Sequence, residues 1–306
     1  MEVSNLKQFL LRIAVFFVIV AILDCVFGRV FYYLHANIAG GRSGAEYYAC
    51  KESNEDILIM GSSRASHHYV PDIITERTGM SCFNAGQDGN GIVLQYGRWK
   101  MISERYTPKM IIYDISNSYD LLINDNMAYI DRLKPFCDEK IVRKYVSQLF
   151  PLESIKLLSH LYRYNYKFLE LLSDCARNGD YREMAGYLPL MGCIREDVAK
   201  EKLNLPKEQS MKYDYVKYNL LEQLLIEAED KGTKVVFVIS PSWAGGEYEL
   251  GAYSKLSDLA EKHGIPFLTF FDSEICFRQD YFKDSSHLND EGARAFTKEL
   301  ISKLSN

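Results

Sequence analysis

Three stretches of this chain carry almost no polar residue: Ile57-Leu58-Ile59-Met60, Met110-Ile111-Ile112-Tyr113 and Val235-Val236-Phe237-Val238-Ile239. A strand with one face in water alternates apolar and polar residues, so runs without alternation need cover on both faces. Between such runs the period changes. Pro71 to Thr78 reads as a helix, with Pro at its first position and Gly79 as its stop. Ile92, Tyr96, Trp99 and Ile102 recur at helical spacing, as do Ala293, Phe296, Leu300 and Leu304 in the stretch Asp290–Leu304. The predicted strands are Asp56–Met60, Ser81–Asn84, Met110–Ile115, Lys234–Ile239 and Pro266–Phe271. Strands alternating with amphipathic helices predict an α/β fold, a doubly wound, flavodoxin-like five-stranded parallel sheet with helices on both faces.

Two segments lie outside that pattern. Phe9 to Gly28 is twenty residues in which only Arg12 and Asp24 are charged. As a helix it would span about 30 Å, the thickness of a bilayer core. Residues 1–35 are therefore read as an N-terminal membrane anchor, a single transmembrane helix, and residues 36–306 as the α/β domain. Lys7 before the span and Arg12 near its start, set against Arg29 and Arg42 after it, favour an N-terminus in the cytoplasm and a domain outside it. Between the third and fourth strands, residues 118–210 form a predicted helical insertion that caps the sheet, and Pro151 to Cys175 within it reads as one long helix.

Charge and cysteine content narrow the function. The net charge is −5 with Lys and Arg scattered, which excludes a nucleic-acid surface, since that needs a concentrated positive field. Six cysteines follow the anchor, an even number that permits disulfides but includes no C-x-x-C pair. Free, buried thiols are the equal alternative. Asp114, Asp272, Asp284 and His287 have no metal-ligand spacing, so neither metal nor cofactor is expected.

In an open parallel sheet, ligands bind beyond the carboxyl ends of the strands. The residues there are Gly61-Ser62-Ser63-Arg64 after the first strand and Asn84-Ala85-Gly86 after the second. Asp114, Ser116 and Asn117 follow the third, Ser240 and Trp243 the fourth, and Asp284-Ser285-Ser286-His287 precedes the last helix. A serine hydroxyl attacks a carbonyl only when a base takes its proton, and that base is usually a histidine oriented by a carboxylate. Asp284 and His287, three residues apart, meet within one turn. The developing oxyanion then needs fixed donors. The backbone N–H groups of Ser63 and Gly86 qualify, and the Asn117 amide is a third candidate. His67 and His68, on an extended segment, would point to opposite faces as rim residues. Arg64 has two readings, an anion contact or a structural ion pair, and Trp243 with the tyrosines of the insertion suggests a sugar-stacking wall.

Gly-x-Ser after the first strand, Asn-x-Gly after the second and Asp-x-x-His before the last helix resemble the SGNH (GDSL-type) hydrolases. The resemblance covers residues 55–117 and 233–304. It implies Ser63 as nucleophile, His287 as base, Asp284 as orienting acid, and Ser63, Gly86 and Asn117 as oxyanion donors. Two residues depart from the family: Ser62 stands where Asp is usual, and the third block, Asp114-Ile-Ser-Asn117, lacks its glycine. An anchor followed by such a domain is similar to the membrane-bound surface-polymer acylation proteins. That likeness implies an esterase or O-acyltransferase acting on acyl esters of envelope glycans, with a polytopic membrane acyl-donor protein as a possible partner. The alternative is a non-catalytic glycan-binding or assembly protein on the same fold.

Overall fold

The structure is a computed structural model and describes residues 2–38, 40–123, 126–176, 181–196, 212–243 and 253–304. Helix α1 (Glu2–Asn37) leads into α2 (Gly41–Lys51). Then come β1 (Ile57–Gly61), α3 (Ser63–His68), α4 (Pro71–Thr78), β2 (Cys82–Asn84), α5 (Ile92–Arg105) and β3 (Met110–Asp114). The insertion contributes α6 (Asn126–Tyr129), α7 (Lys140–Leu149), α8 (Glu153–Lys156), α9 (His160–Tyr164) and α10 (Phe168–Cys175). After it follow α11 (Tyr215–Asp230), β4 (Lys234–Ile239), α12 (Ser254–His263), β5 (Phe267–Thr269) and α13 (Asp290–Leu304).

All strand pairs are parallel and the order is β2-β1-β3-β4-β5, the doubly wound arrangement expected from the sequence. Alternate residues of each strand enter different cores. Leu58 and Met60 join Tyr113, Phe237, α5 and α11 on one face, while Ile57 and Ile59 join Ile112, Val238, α4 and α13 on the other. This is why the strands show no alternation. Burial of side chains of this size contributes about 1.5–3 kcal/mol each.

The chain runs from β1 outward to β2, then returns past β1 to β3. The strand order reverses there, so a crevice opens between the carboxyl ends of β1 and β3. Gly61 and Asp114 are paired across that crevice. Gly61 has φ +136°, and a Cβ on it would lie 2.5 Å from the Asp114 carbonyl oxygen. Only glycine fits. The small residue ahead of Ser63 is thus a packing requirement as well as a turn signal.

The long helix expected over Pro151–Cys175 is instead three short ones, α8, α9 and α10. The breaks follow from capping. Ser159 accepts a hydrogen bond from the Tyr162 N–H to start α9, and the Asp24 carboxylate from α1 accepts from the N–H groups of His160 and Leu161. Leu133, Phe136, Val142, Tyr145 and Leu157 share one core with α2, α5 and the sheet. Tyr187 and Ile194, further along the insertion, pack in the opposite core with α13. Residues 124–125, 177–180 and 197–210 of the expected insertion lie outside the described residues. Cys50, Cys82, Cys137 and Cys276 are buried free thiols, and Cys175 and Cys193 are free and exposed.

Candidate active site

Helix α3 starts directly after β1, so the first helical residue, Ser63, stands at the mouth of the crevice. Its N–H belongs to a first helical turn and has no partner four residues back. His287 Nε2 lies 2.7 Å from Ser63 Oγ. The other ring nitrogen, Nδ1, lies 3.0 Å from both Asp284 carboxylate oxygens. A carboxylate only accepts, so Nδ1 donates to Asp284 and Nε2 is left to accept the Ser63 hydroxyl proton. Asp284 is oriented in turn by the N–H groups of Ser286 (2.8 Å) and His287 (2.9 Å). Burial pushes its carboxyl up, but His287 and those two N–H groups outweigh this and hold it below the ordinary carboxylate range. Ser62, the neighbouring hydroxyl, is 1% exposed, whereas Ser63 is partly exposed and meets the imidazole.

The three proposed oxyanion donors are placed differently. A Cβ on Gly86 would lie 2.4 Å from Ser66 N, so Gly86 packs directly under α3. Its N–H donates to the Asn84 side-chain oxygen at 3.0 Å. Asn84 Nδ2 in turn donates to the carbonyls of Ala65 (2.7 Å) and Tyr69 (3.1 Å). The third block does without a glycine. After Asp114 the chain leaves the strand and forms a single π-helical turn, Asn117–Leu121. Buried Asp120 holds it there, accepting from the N–H of Ser116 (2.7 Å), the N–H of Ile92 (2.7 Å) and the Tyr113 hydroxyl (2.8 Å). Burial raises the Asp120 carboxyl to about 6 against those bonds. Asn117 Oδ1 is buried with no hydrogen-bond partner.

His67 and His68 differ from expectation. They lie on α3, not on an extended rim, and both are buried, because the chain turns helical at once after β1. His67 Nδ1 donates to the Leu188 carbonyl at 2.6 Å, and its Nε2 lies 3.1 Å from Asp88 Oδ1. His68 Nε2 accepts the Leu288 N–H at 3.0 Å, so its Nδ1 donates to Ser240 Oγ at 2.8 Å. Burial, reinforced by His287, Arg64 and His67, lowers the His68 pKa well below its ordinary value. A neutral ring thus ties the backbone just after His287 to the end of β4. Sequence spacing held no signal for this role.

Arg64 takes the structural reading. Its Nε lies 3.4 Å from Asp114 Oδ1, and it also donates to the Ile115 carbonyl, clamping α3 to the end of β3. Tyr69 donates to the other Asp114 oxygen at 2.5 Å. Burial nonetheless leaves the Asp114 carboxyl raised. Trp243 packs edge-on against Phe282 with centroids 5.8 Å apart.

The parallel sheet places Ser63 after its first strand and Asp284-x-x-His287 before its last helix, with His287 against Ser63. Several solved structures are similar to the chain. A psychrotrophic esterase from Pseudoalteromonas is 11% identical with TM-score 0.42, covering 81% of this chain and 96% of its own. A GDSL-like lipase from Bacteroides thetaiotaomicron is 13% identical with TM-score 0.34, covering 90% and 98%. An acetyl xylan esterase is 11% identical with TM-score 0.39, covering 81% and 99%. No protein-family model matches the chain, and no curated protein sequence does.

Proposed function

We propose that the protein is a serine ester hydrolase or O-acyltransferase of the SGNH type. One observation carries the reading: a serine hydroxyl at the strand-order reversal sits 2.7 Å from an imidazole whose far nitrogen is held by a carboxylate. In the proposed reaction Ser63 Oγ bonds to the acyl carbon of an ester while its proton passes to His287 Nε2. The imidazolium that forms is stabilised by Asp284. The carbonyl oxygen becomes an oxyanion, which takes hydrogen bonds from the Ser63 N–H and from Asn117 turned with its amide nitrogen inward. His287 then returns the proton to the departing alkoxide, leaving an acyl group on Ser63. Water, or the hydroxyl of an acceptor, reverses the steps.

The finer reading is a single-pass membrane protein with its site outside the cytoplasm, acting on acyl esters of envelope glycans. A polytopic membrane protein would supply the acyl group where the product is a transferred ester. What supports this is an N-terminal helix, Asn5–Asn37, whose most apolar 18-residue stretch has mean hydropathy 2.7, together with Lys7 ahead of the span and Arg12 near its start. The alternative of a non-catalytic glycan-binding protein draws on the Gly86 N–H, which already serves Asn84 and so leaves the hole one donor poorer.

A fluorophosphonate probe on the full-length protein distinguishes the two. Labelling should occur at Ser63, persist in Ser62→Ala and vanish in Ser63→Ala. An unlabelled, folded wild type would favour the binding protein. For topology, a C-terminal alkaline phosphatase fusion should be active, and activity only with a cytoplasmic reporter would overturn the envelope assignment.

A further inference from the structure

Outside α1, half of the exposed large apolar side chains among the described residues fall within one short stretch. They are Leu152, Ile155, Leu158, Tyr166, Phe168, Leu169 and Leu172, and four of them are strongly exposed: Leu152 76%, Ile155 69%, Leu158 67% and Leu169 68%. They lie on or beside α8 and α10, the two short helices flanking α9. A soluble surface rarely gathers so many, and such a patch marks a surface that something covers.

The same stretch grips α1. Asp24 accepts from Ser159 Oγ, from the His160 N–H (2.8 Å) and from the Leu161 N–H (3.0 Å), so an acid of α1 caps α9. A Cβ on Gly28 would lie 2.2 Å from His160 Cβ, which makes this a helix crossing closed by glycine. The rings of Phe31 and Tyr164 meet at a tilt with centroids 5.7 Å apart one turn further on. At 1.5 Å per residue Asp24 lies only about 6 Å along the axis from Gly28, the end of the apolar span. The N-terminus of α9 therefore sits at the depth where a bilayer containing that span would end. Val26, Phe27 and Val30 of α1 are themselves exposed at this level, so the anchor is still apolar at the depth where the insertion meets it.

We propose that α8–α10 form a platform lying in the membrane interface beside α1, with these leucines, Ile155 and Phe168 among the lipid acyl chains. The proposal rests on reading α1 as membrane-spanning. The depth shared with the apolar span of α1 identifies the occupant as lipid. Short amphipathic segments gain by burying such a face about 5–10 Å into the headgroup boundary. The platform would fix the tilt and height of the sheet above the bilayer, so that the Ser63 crevice is held at a set distance from it and does not swing on a tether.

Tryptophan quenching in lipid nanodiscs tests this with the full chain. Ile155→Trp and Leu169→Trp change exposed positions, and each adds emission to that of Trp99 and Trp243. With lipids brominated on the acyl chains, both added emissions should be lost, as that of Val15→Trp in the anchor should be. Glu229→Trp on α11 should keep its emission. If Val15→Trp is quenched while Ile155→Trp and Leu169→Trp behave like Glu229→Trp, the platform is wrong and the patch serves a protein partner. If Val15→Trp is also unquenched, the membrane reading of α1 fails and the platform falls with it.

Discussion

Buried charge is handled in opposite ways at the two ends of the domain. Around the crevice, Asp114 and Asp120 are fully buried and burial raises both carboxyls. Next to α1, Glu46 is as deeply buried, and burial would raise it too. Lys167 (2.7 Å) and Arg132 (2.8 Å) nevertheless hold it well below the ordinary carboxylate range. Arg132 also reaches Glu170 at 3.1 Å, so α2, α10 and the segment before α7 are joined by one ionic cluster. The crevice carboxylates mostly accept N–H and O–H groups and so fix a backbone shape. The anchor-side cluster pairs whole charges and fixes helices to one another. Changes at the crevice should therefore strike turnover and spare stability, and changes in the cluster should do the reverse.

The largest effect tests the first half. Ser63→Ala should reduce ester turnover by about 10⁶, the scale of losing the nucleophile in a serine triad, with an unchanged melting temperature. A variant that melts early would mean that Ser63 is structural. Asp284→Asn follows, with a loss of about 10⁴ in kcat, because an amide can hold His287 in the wrong tautomer. Unchanged turnover on p-nitrophenyl acetate would reduce the Asp-x-x-His pair to a turn.

Glu46→Gln probes the other end. It leaves Lys167 and Arg132 facing each other with less compensation, and breaking such a buried pair costs about 3–5 kcal/mol. Thermal melts should show this while turnover per folded molecule stays the same. The sign of the pH dependence is fixed. Folding depresses this carboxyl, so its stabilisation is present above the ordinary value of 4.5 and is lost as pH falls below it. The gap in melting temperature between wild type and Glu46→Gln should therefore narrow on acidification below 4.5. A gap that widens would contradict the ionic account.

The smallest effect sharpens the weakest part of the site. Asn117→Ala should lower kcat by about 10²–10³ with KM little changed, because its contact strengthens only as charge develops on the oxygen. If kcat holds and the melting temperature falls, Asn117 belongs with Asp120 as a residue that shapes the turn.

The sequence by itself determined the sheet, since runs such as Val235–Ile239 are stable only when both faces are covered. It also brought Asp284 next to His287, because that contact needs only a turn of four residues. Tertiary structure decided what depends on long-range geometry. The 224-residue gap between Ser63 and His287 closes only through the docking of α13 on α3 and α4. The split of Pro151–Cys175 into α8, α9 and α10 depends on a carboxylate 136 residues away at Asp24. His68 looks like any histidine until the fold sets Leu288 and Ser240 against its two nitrogens. Local patterning reports what a segment buries and how it turns. It does not report which distant polar group will answer a given N–H, because that depends on how the helices pack.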